Sequence, residues 1–454
     1  MAGLTPEQRL ALLTAYREGP KSSPMDAVPL IKALRAHWPP TIEAAAVDEM
    51  IAELLVNTPI YPRGMERALT AVRRRLLLGA ADERLAPFVC RLAIQGHLNE
   101  YVWDQDAQER SLIDAMAARL LDLTPIEVML VACYRPLSGI EGAQALLARG
   151  WSEPFAAVMR EQVEEVVRER GLAAEIESLS GIRPGVSEAV RAQYEVHPYP
   201  PWRTVEGSPS VSQDAVDILI AGCGTGYQAI RNAQRYPNGR VLAVDLSRAS
   251  LAYGLRKARE AGCPNITFLQ ADLLELEGLQ RRFDLIESTG VLHHMSDPFE
   301  GARAVAALLK PGGTMMLALY SALGRQRLAA AKRVARGFTP ETIREMRRAI
   351  CAAPAGDPVH GVEKFVDFYA ASSCRDLLMH VQEHELSVPD LQRIVQETGL
   401  EFLGFFLSAA TLAAYRGMFP DDPAGTCLAN WQAFETAHPQ IFADMYQFWL
   451  RKPD

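Results

Sequence analysis

The sequence predicts an α/β protein, a parallel sheet covered on both faces and preceded by an all-α domain, and three observations carry that reading. From Thr5 to about Gln193, segments such as "PEQRLALLTAYREG" and "MERALTAVRRRLLLGA" repeat apolar residues at three- and four-residue spacing, the period of amphipathic helices. At "YEVHPYPPW", residues 194–202, three prolines among nine residues exclude regular helix and mark a linker or fixed loop. Beyond it, short apolar runs alternate with helical stretches, the texture of strands buried on both sides.

Seven strands are expected. Five are "VDILIA" (216–221), "RVLAVD" (240–245), "ITFLQ" (266–270), "FDLIES" (283–288) and "TMMLALY" (314–320). In "SVPDLQRIVQETGLEFLGFFL" a Ser-capped helix ends at Gly399 and a sixth strand follows at 401–407. The aromatic "MYQFWLR", 445–451, is expected to pair back on it. The domains read as 1–193, all-α; 194–213, a Pro/aromatic linker and pocket loop; and 214–454, the sheet domain, with a largely helical insertion at 322–387.

Composition narrows the function. With 49% hydrophobic and 22% charged residues among 454, the chain can bury a large core. A net charge of -8 gives no broad attraction to phosphate backbones, so nucleic acid is not the expected partner. Seven scattered cysteines without C-x-x-C spacing suggest neither a disulfide framework nor a cysteine metal site. There is no basic-then-apolar leader and no run of about 20 apolar residues, so a cytoplasmic protein outside the membrane is expected.

The first strand runs into "AGCGTGYQAI", with Gly222, Gly224 and Gly226 at G-x-G-x-G spacing before a helix. Glycines at such a turn let backbone approach a ligand at the carboxyl edge of the sheet. A dinucleotide fingerprint requires a third glycine at position 227, which is Tyr, so a pyrophosphate is not expected. The second strand ends in Asp245, placed to accept hydrogen bonds from ribose hydroxyls, and the third runs into "QAD", with Asp272 at the edge where an adenine would lie.

"DILIAGCGTG", "VLAVDLS", "FLQADLL", "FDLIESTGVLHHM" and "LKPGGTMMLALY" together resemble a class I S-adenosylmethionine-dependent methyltransferase of the type 11/12-like group. The flanking "PYPPW" and "MYQFWL" resemble a bacterial subgroup with a helical N-terminal extension. The resemblance implies a Rossmann-like seven-stranded sheet, S-adenosyl-L-methionine as cofactor, and methyl transfer to an O or N acceptor, expected to be a small molecule. It implies a cofactor site at Gly222, Gly224, Gly226, Asp245, Leu246, Asp272, Leu273, Glu287 and Ser288, walled by Tyr194, Tyr199 and Trp202, whose aromatic faces would attract a sulfonium. The sequence departs from the family at Ile220, where an acidic residue is common; Glu287 is the nearest replacement for receiving the cofactor's amino group. A protein or RNA methyltransferase and a noncatalytic cofactor-binding module are the alternatives.

Histidine suits base work near neutral pH, and His197, His293, His294, His380 and His384 fall in segments expected around the cleft. His380, with Asp376 one helical turn earlier as acidic partner, and His294 are the catalytic candidates. "HVQEH" at 380–384 also spells the inverted zinc-protease motif H-x-x-E-H, which places two histidines on one helix face; zinc proteolysis is the remote alternative, and no metal is expected. Arg325, Arg327, Lys332, Arg333, Arg336, Arg344, Arg347 and Arg348 make the insertion's first half basic, either an anion-reading stretch or a solvated helix face. The insertion is expected to cover the acceptor pocket, because it leaves the sheet at the cofactor edge.

Overall fold

The computed structural model describes the chain except residues 1–4, 20, 22–23, 37, 180, 197, 201, 206–209 and 443–444. It packs as two compact units: Met1–Gly171 with Pro201–Glu206 and Ala330–Met379, and Leu172–Pro200 with Gly207–Ala329 and His380–Asp454. The expected division at 193/194 is therefore displaced, and the insertion is split between the units.

The first unit is helical, as its periodicity requires, and its helices start where the chain supplies caps. Thr5, Asp106 and Thr124 each form a capping box with the residue three positions on, and the first and third are followed by proline at the first helical position. Its centre is built on helix Ala86–Leu98, buried along most of its length, which packs against Glu49–Asn57 and Pro125–Ala132. The basic stretch enters this unit as structural ties. Arg347 is buried and holds Glu66 through two bonds (2.7 and 3.0 Å), Arg344 donates to the Tyr101 carbonyl, and Arg348 pairs with Asp104. Neither an anion-reading stretch nor a solvated face describes Arg344 and Arg347, whereas Arg348 is exposed, as a solvated face expects.

The second unit is a sheet of eight strands. They are β1 (Glu177–Ser178), β2 (Asp217–Ala221), β3 (Arg240–Asp245), β4 (Ile266–Gln270), β5 (Phe283–Thr289), β6 (Leu309–Tyr320), β7 (Glu401–Phe405) and β8 (Met445–Arg451). Their order is β1-β4-β3-β2-β5-β6-β8-β7, parallel from β1 to β6, with β8 antiparallel to both neighbours. Seven match the expected runs; β6 starts five residues early because Leu309 pairs with Phe283 before a register shift across Pro311–Gly313.

The eighth strand, β1, lies in the segment read as helical. Arg248 explains its position: the guanidinium donates to the Ala173 carbonyl, Ser178 Oγ and Gln270 Oε1, pinning residues 173–178 beside β4. Glu195 accepts from the Arg248 and Ala249 N–H groups, capping helix Arg248–Glu260 and drawing helix Val186–Val196 into the sheet unit. Both interactions are long-range and invisible to periodicity.

Along the central strands, alternate residues go to opposite cores. Leu219, Ala221, Leu242 and Val244 pack with Ala302, Val305, Leu391, Trp431 and Phe434, while Ile218, Ile220, Val241 and Ala243 are buried outside that cluster. Helix Val388–Thr398 is capped by Ser387 and ends at left-handed Gly399, as expected.

Glu66→Leu should destabilise the helical unit by about 3–5 kcal/mol, because it strands a buried guanidinium, whereas Glu66→Leu with Arg347→Met should recover most of the loss. Urea unfolding followed by circular dichroism measures both; equal losses in the single and double variants would show that the pair is not what holds these helices.

Candidate active site

The carboxyl ends of β4, β3, β2 and β5 stand side by side, and the loops leaving them carry the expected cofactor residues. Gly222, Gly224 and Gly226 all have positive φ (77°, 50° and 86°), a conformation that favours glycine. The space beside them belongs to the chain: a Cβ on Gly222 would lie 2.3 Å from Val291 Cγ2, and one on Gly224 would lie 2.6 Å from the Tyr199 carbonyl oxygen. Thr225 Oγ1 donates to the Pro200 carbonyl (2.5 Å), so the backbone at Tyr199 and Pro200 is held onto the glycine turn.

Asp245 accepts from the Gly224 N–H (2.8 Å) with one oxygen and the Ser247 N–H (2.9 Å) with the other. Burial raises its pKa above the ordinary carboxylate value, opposed by these N–H donors. Leu246, beside it, accepts from Gln270 Nε2. Asp272 is buried; Oδ1 accepts from the Leu274 N–H (3.1 Å), and Oδ2 has no partner among the described residues. Leu273 is buried at the start of the same turn.

On β5, Glu287 accepts from Asn232 Nδ2 (3.0 Å), and burial raises its pKa. Ser288 donates to the Ala221 carbonyl. Tyr199 lies parallel to Tyr194, with ring centroids 6.1 Å apart. Trp202 and Asp376 belong to the helical unit, and His197 lies outside the described residues.

The H-x-x-E-H segment is not helical. Helix Ala371–Met379 ends one residue before His380, and 380–385 run without regular structure, so the single helix face expected for His380 and His384 does not exist. Two forces extend the segment. Arg325, buried against the Tyr320 ring, pairs with Glu383 at 2.7 Å, and the His384 and Leu386 N–H groups bond to the His293 and Tyr320 carbonyls. The motif's glutamate is thereby consumed in a buried ion pair.

The same extension assembles the histidines. His294 and His380 stack with ring centroids 3.5 Å apart and planes 20° from parallel. Their Nδ1 atoms lie 2.8 and 2.6 Å from one acceptor, the Gln382 carbonyl oxygen, which places a proton on each Nδ1 and makes each Nε2 the accepting nitrogen of its ring. The Gln382 N–H approaches His380 Nδ1 at 3.2 Å, but a protonated nitrogen cannot accept it, and the shorter contact decides the tautomer. Tyr194 Oη lies 3.1 Å from His380 Nε2.

His293 is fully buried against Tyr320; Nδ1 accepts the Tyr320 N–H (3.3 Å), and Nε2 has no partner among the described residues. Burial first, then His294, Arg325, His380 and His384, holds its pKa well below the ordinary 6.5. Sequence reasoning missed the Gln382 carbonyl, since a backbone acceptor leaves no mark in side-chain identity.

Residues 218–313 match the methyltransferase domain family. An uncharacterised protein of Synechococcus sp. is 29% identical over 252 residues, 48% of this chain and 60% of its own length. Trans-aconitate 2-methyltransferase of Deinococcus radiodurans is 41% identical over 101 residues (22% and 35%), and a tRNA U34 carboxymethyltransferase of Desulfotalea psychrophila 37% over 112 (24% and 34%). The matches thus span less than two thirds of these relatives. The chain carries a class I S-adenosylmethionine-dependent methyltransferase domain, and S-adenosyl-L-methionine is its cofactor. Asp272 Oδ2, a buried acceptor with no hydrogen-bond partner among the described residues, and the Asp245 carboxylate beside the glycine turn fit an adenosine. Among the described residues no helix is long and apolar enough to cross a membrane.

Because His293 is held neutral, the unfolded chain binds its proton more readily than the folded one, and stability should fall as pH drops from about 7 through 6.5. Glu287 and Asp245, with raised pKa values, act in the opposite sense at lower pH, so wild type must be compared with His293→Asn. The thermal midpoint of wild type should drop more steeply between pH 7 and 5.5; parallel curves would show that His293 titrates normally.

Proposed function

We propose that the protein transfers the methyl group of S-adenosylmethionine to an O–H or N–H acceptor, expected to be a small molecule. The observation that carries this reading is the row of strand-end groups, with the buried unpaired oxygen of Asp272 among them. S-adenosylmethionine supplies an electrophilic methyl on a sulfonium. Asp245 would accept from the ribose hydroxyls, Asp272 from the adenine amino group, and Glu287 from the amino group of the methionine part, while Gly222, Gly224, Gly226, Leu246, Leu273 and Ser288 shape the cradle and Tyr199 walls it.

His380 and His294 would take the acceptor's proton at Nε2 as its oxygen or nitrogen bonds to carbon. The Gln382 carbonyl holds both rings in the tautomer that this requires, before any acceptor arrives. Asp376 and Trp202, carried by the other unit, remain expectations from the sequence for the acidic partner and the pocket wall. A small acceptor agrees with the net charge of -8, which gives no general attraction to RNA.

S-adenosylhomocysteine should bind at about micromolar affinity, roughly 8 kcal/mol, and NAD should not. Asp245→Ala should weaken it at least about tenfold, through loss of charge-assisted hydrogen bonds. Calorimetry decides; unchanged binding in the variant, or tight NAD binding, would overturn the cofactor site.

Labelled methyl groups traced by mass spectrometry through metabolites, peptides and RNA of wild-type and deletion cells would identify the acceptor. On that acceptor, His380→Ala and His294→Ala should lower turnover by about 10²–10⁴-fold with little change in S-adenosylhomocysteine affinity. Wild-type turnover would remove the pair from the chemistry, and label in no fraction would favour a cofactor-binding module.

A further inference from the structure

The Tyr194 hydroxyl meets His380 at the nitrogen on which the methyl-transfer reading depends. Oη lies 3.1 Å from Nε2, and the two ring centroids are 5.9 Å apart with planes tilted by 49°. The Gln382 carbonyl puts the His380 proton on Nδ1, so Nε2 carries a lone pair and the tyrosine is the donor in this contact. A methyl acceptor therefore reaches that lone pair only by displacing the phenol or by working through it.

The surroundings of Tyr194 decide between the two. It is half-buried on helix Val186–Val196, where its neighbour Glu195 accepts from the Arg248 and Ala249 N–H groups, three and four residues beyond Asp245. Its ring stacks on Tyr199, with planes 16° from parallel and centroids 6.1 Å apart. The Tyr199 carbonyl fills the space beside Gly224, whose N–H donates to Asp245. On the histidine side, the Arg325–Glu383 pair and the bond from the His384 N–H to the His293 carbonyl fix the segment that carries His380. One phenol is thus held between the loops that leave β2 and β3 and the histidine pair. Fixing both partners of a hydrogen bond favours transfer along it over its displacement.

A hydroxyl that donates to Nε2 presents its oxygen as an acceptor to an incoming O–H or N–H. We propose that Tyr194 is a catalytic residue that receives the acceptor's proton, and that His380 acts through it. As the acceptor's oxygen or nitrogen bonds to the methyl carbon, the carbon–sulfur bond breaks and its electron pair stays on sulfur. The acceptor's proton moves to Tyr194 Oη, and the tyrosine's own proton moves to His380 Nε2. The positive charge passes from the sulfonium to the imidazolium, whose Nδ1–H bond to the Gln382 carbonyl becomes charge-assisted. The inference rests on the methyl-transfer reading and changes only the route by which the proton reaches His380.

Tyr194→Phe removes the hydroxyl and keeps a ring to stack on Tyr199. In ¹⁵N NMR of histidine-labelled protein, assigned against His380→Ala, the His380 Nε2 signal should move toward that of an imidazole nitrogen without a donor; an unmoved signal would overturn the proposal. Transfer is read by incubating the protein and methyl-labelled S-adenosylmethionine with a metabolite extract of deletion cells, under single turnover. Tyr194→Phe and His380→Ala should each slow labelling by about 10²–10⁴-fold, and the double variant should be no slower, because the two groups act as one unit. In mixtures of light and heavy water the wild-type rate should follow a curve, as two protons in flight require, and the Tyr194→Phe rate should not. A straight dependence in wild type would make Tyr194 a positioning residue and sink the relay. Undiminished labelling in Tyr194→Phe beside a loss in His380→Ala would also sink it, leaving His380 as the direct base and the methyl-transfer reading intact. No label from wild type, with S-adenosylhomocysteine still bound by calorimetry, would instead remove that reading and the relay with it.

Discussion

The buried pair between Arg325 and Glu383 fixes the part of the sheet unit on which the proposed chemistry depends. A guanidinium in an apolar setting requires a carboxylate, and the cost of leaving either charge alone there exceeds what a short helix extension could return. The chain therefore leaves helix Ala371–Met379 and runs extended from His380, so that Glu383 reaches Arg325 and the next N–H groups reach the His293 and Tyr320 carbonyls. That path turns the Gln382 carbonyl toward two imidazoles. The tautomer of His294 and His380, with Nε2 as the accepting nitrogen, follows from where one ion pair must close.

Much of this architecture is legible in the sequence because it is local. Gly222, Gly224 and Gly226 sit where a tight turn after β2 needs positive φ; Ser387 and Gly399 delimit a helix by capping; and the apolar runs of β2 to β5 have the continuous burial of a sheet covered on both faces. Each of these is set by residues within a few positions of one another.

What escaped the reading is set by partners far along the chain. Arg73 to Arg75 form a basic run of the kind that solvated helix faces carry, yet Arg73 is buried, its guanidinium stacked on Tyr134, while Arg74 pairs with Asp106 at the surface. The insertion's arginines look like an anion-reading stretch until Glu66, Asp104 and the 101–102 carbonyls are placed beside them. The letters of H-x-x-E-H carry helical spacing, but Arg325 lies 58 residues before Glu383 and decides otherwise. Charge in a sequence announces that a partner is needed without saying which.

The position of β8 has a consequence for how the chain is made. The strand inserts between β6 and β7, so β7 has no neighbour in the sheet until residues 445–451 exist, roughly 40 residues after β7 has left the ribosome. At about 5–20 residues per second that interval is a few seconds, far longer than a hairpin needs to form. During it, the nascent chain presents the open flank of β6 beside an unfinished apolar layer, although Ala330–Met379, the last segment of the helical unit, has already emerged. Vectorial synthesis thus delivers the sheet unit unfinished after the helical one is complete, and the emerging protein must be shielded from its neighbours until its last strand closes the sheet.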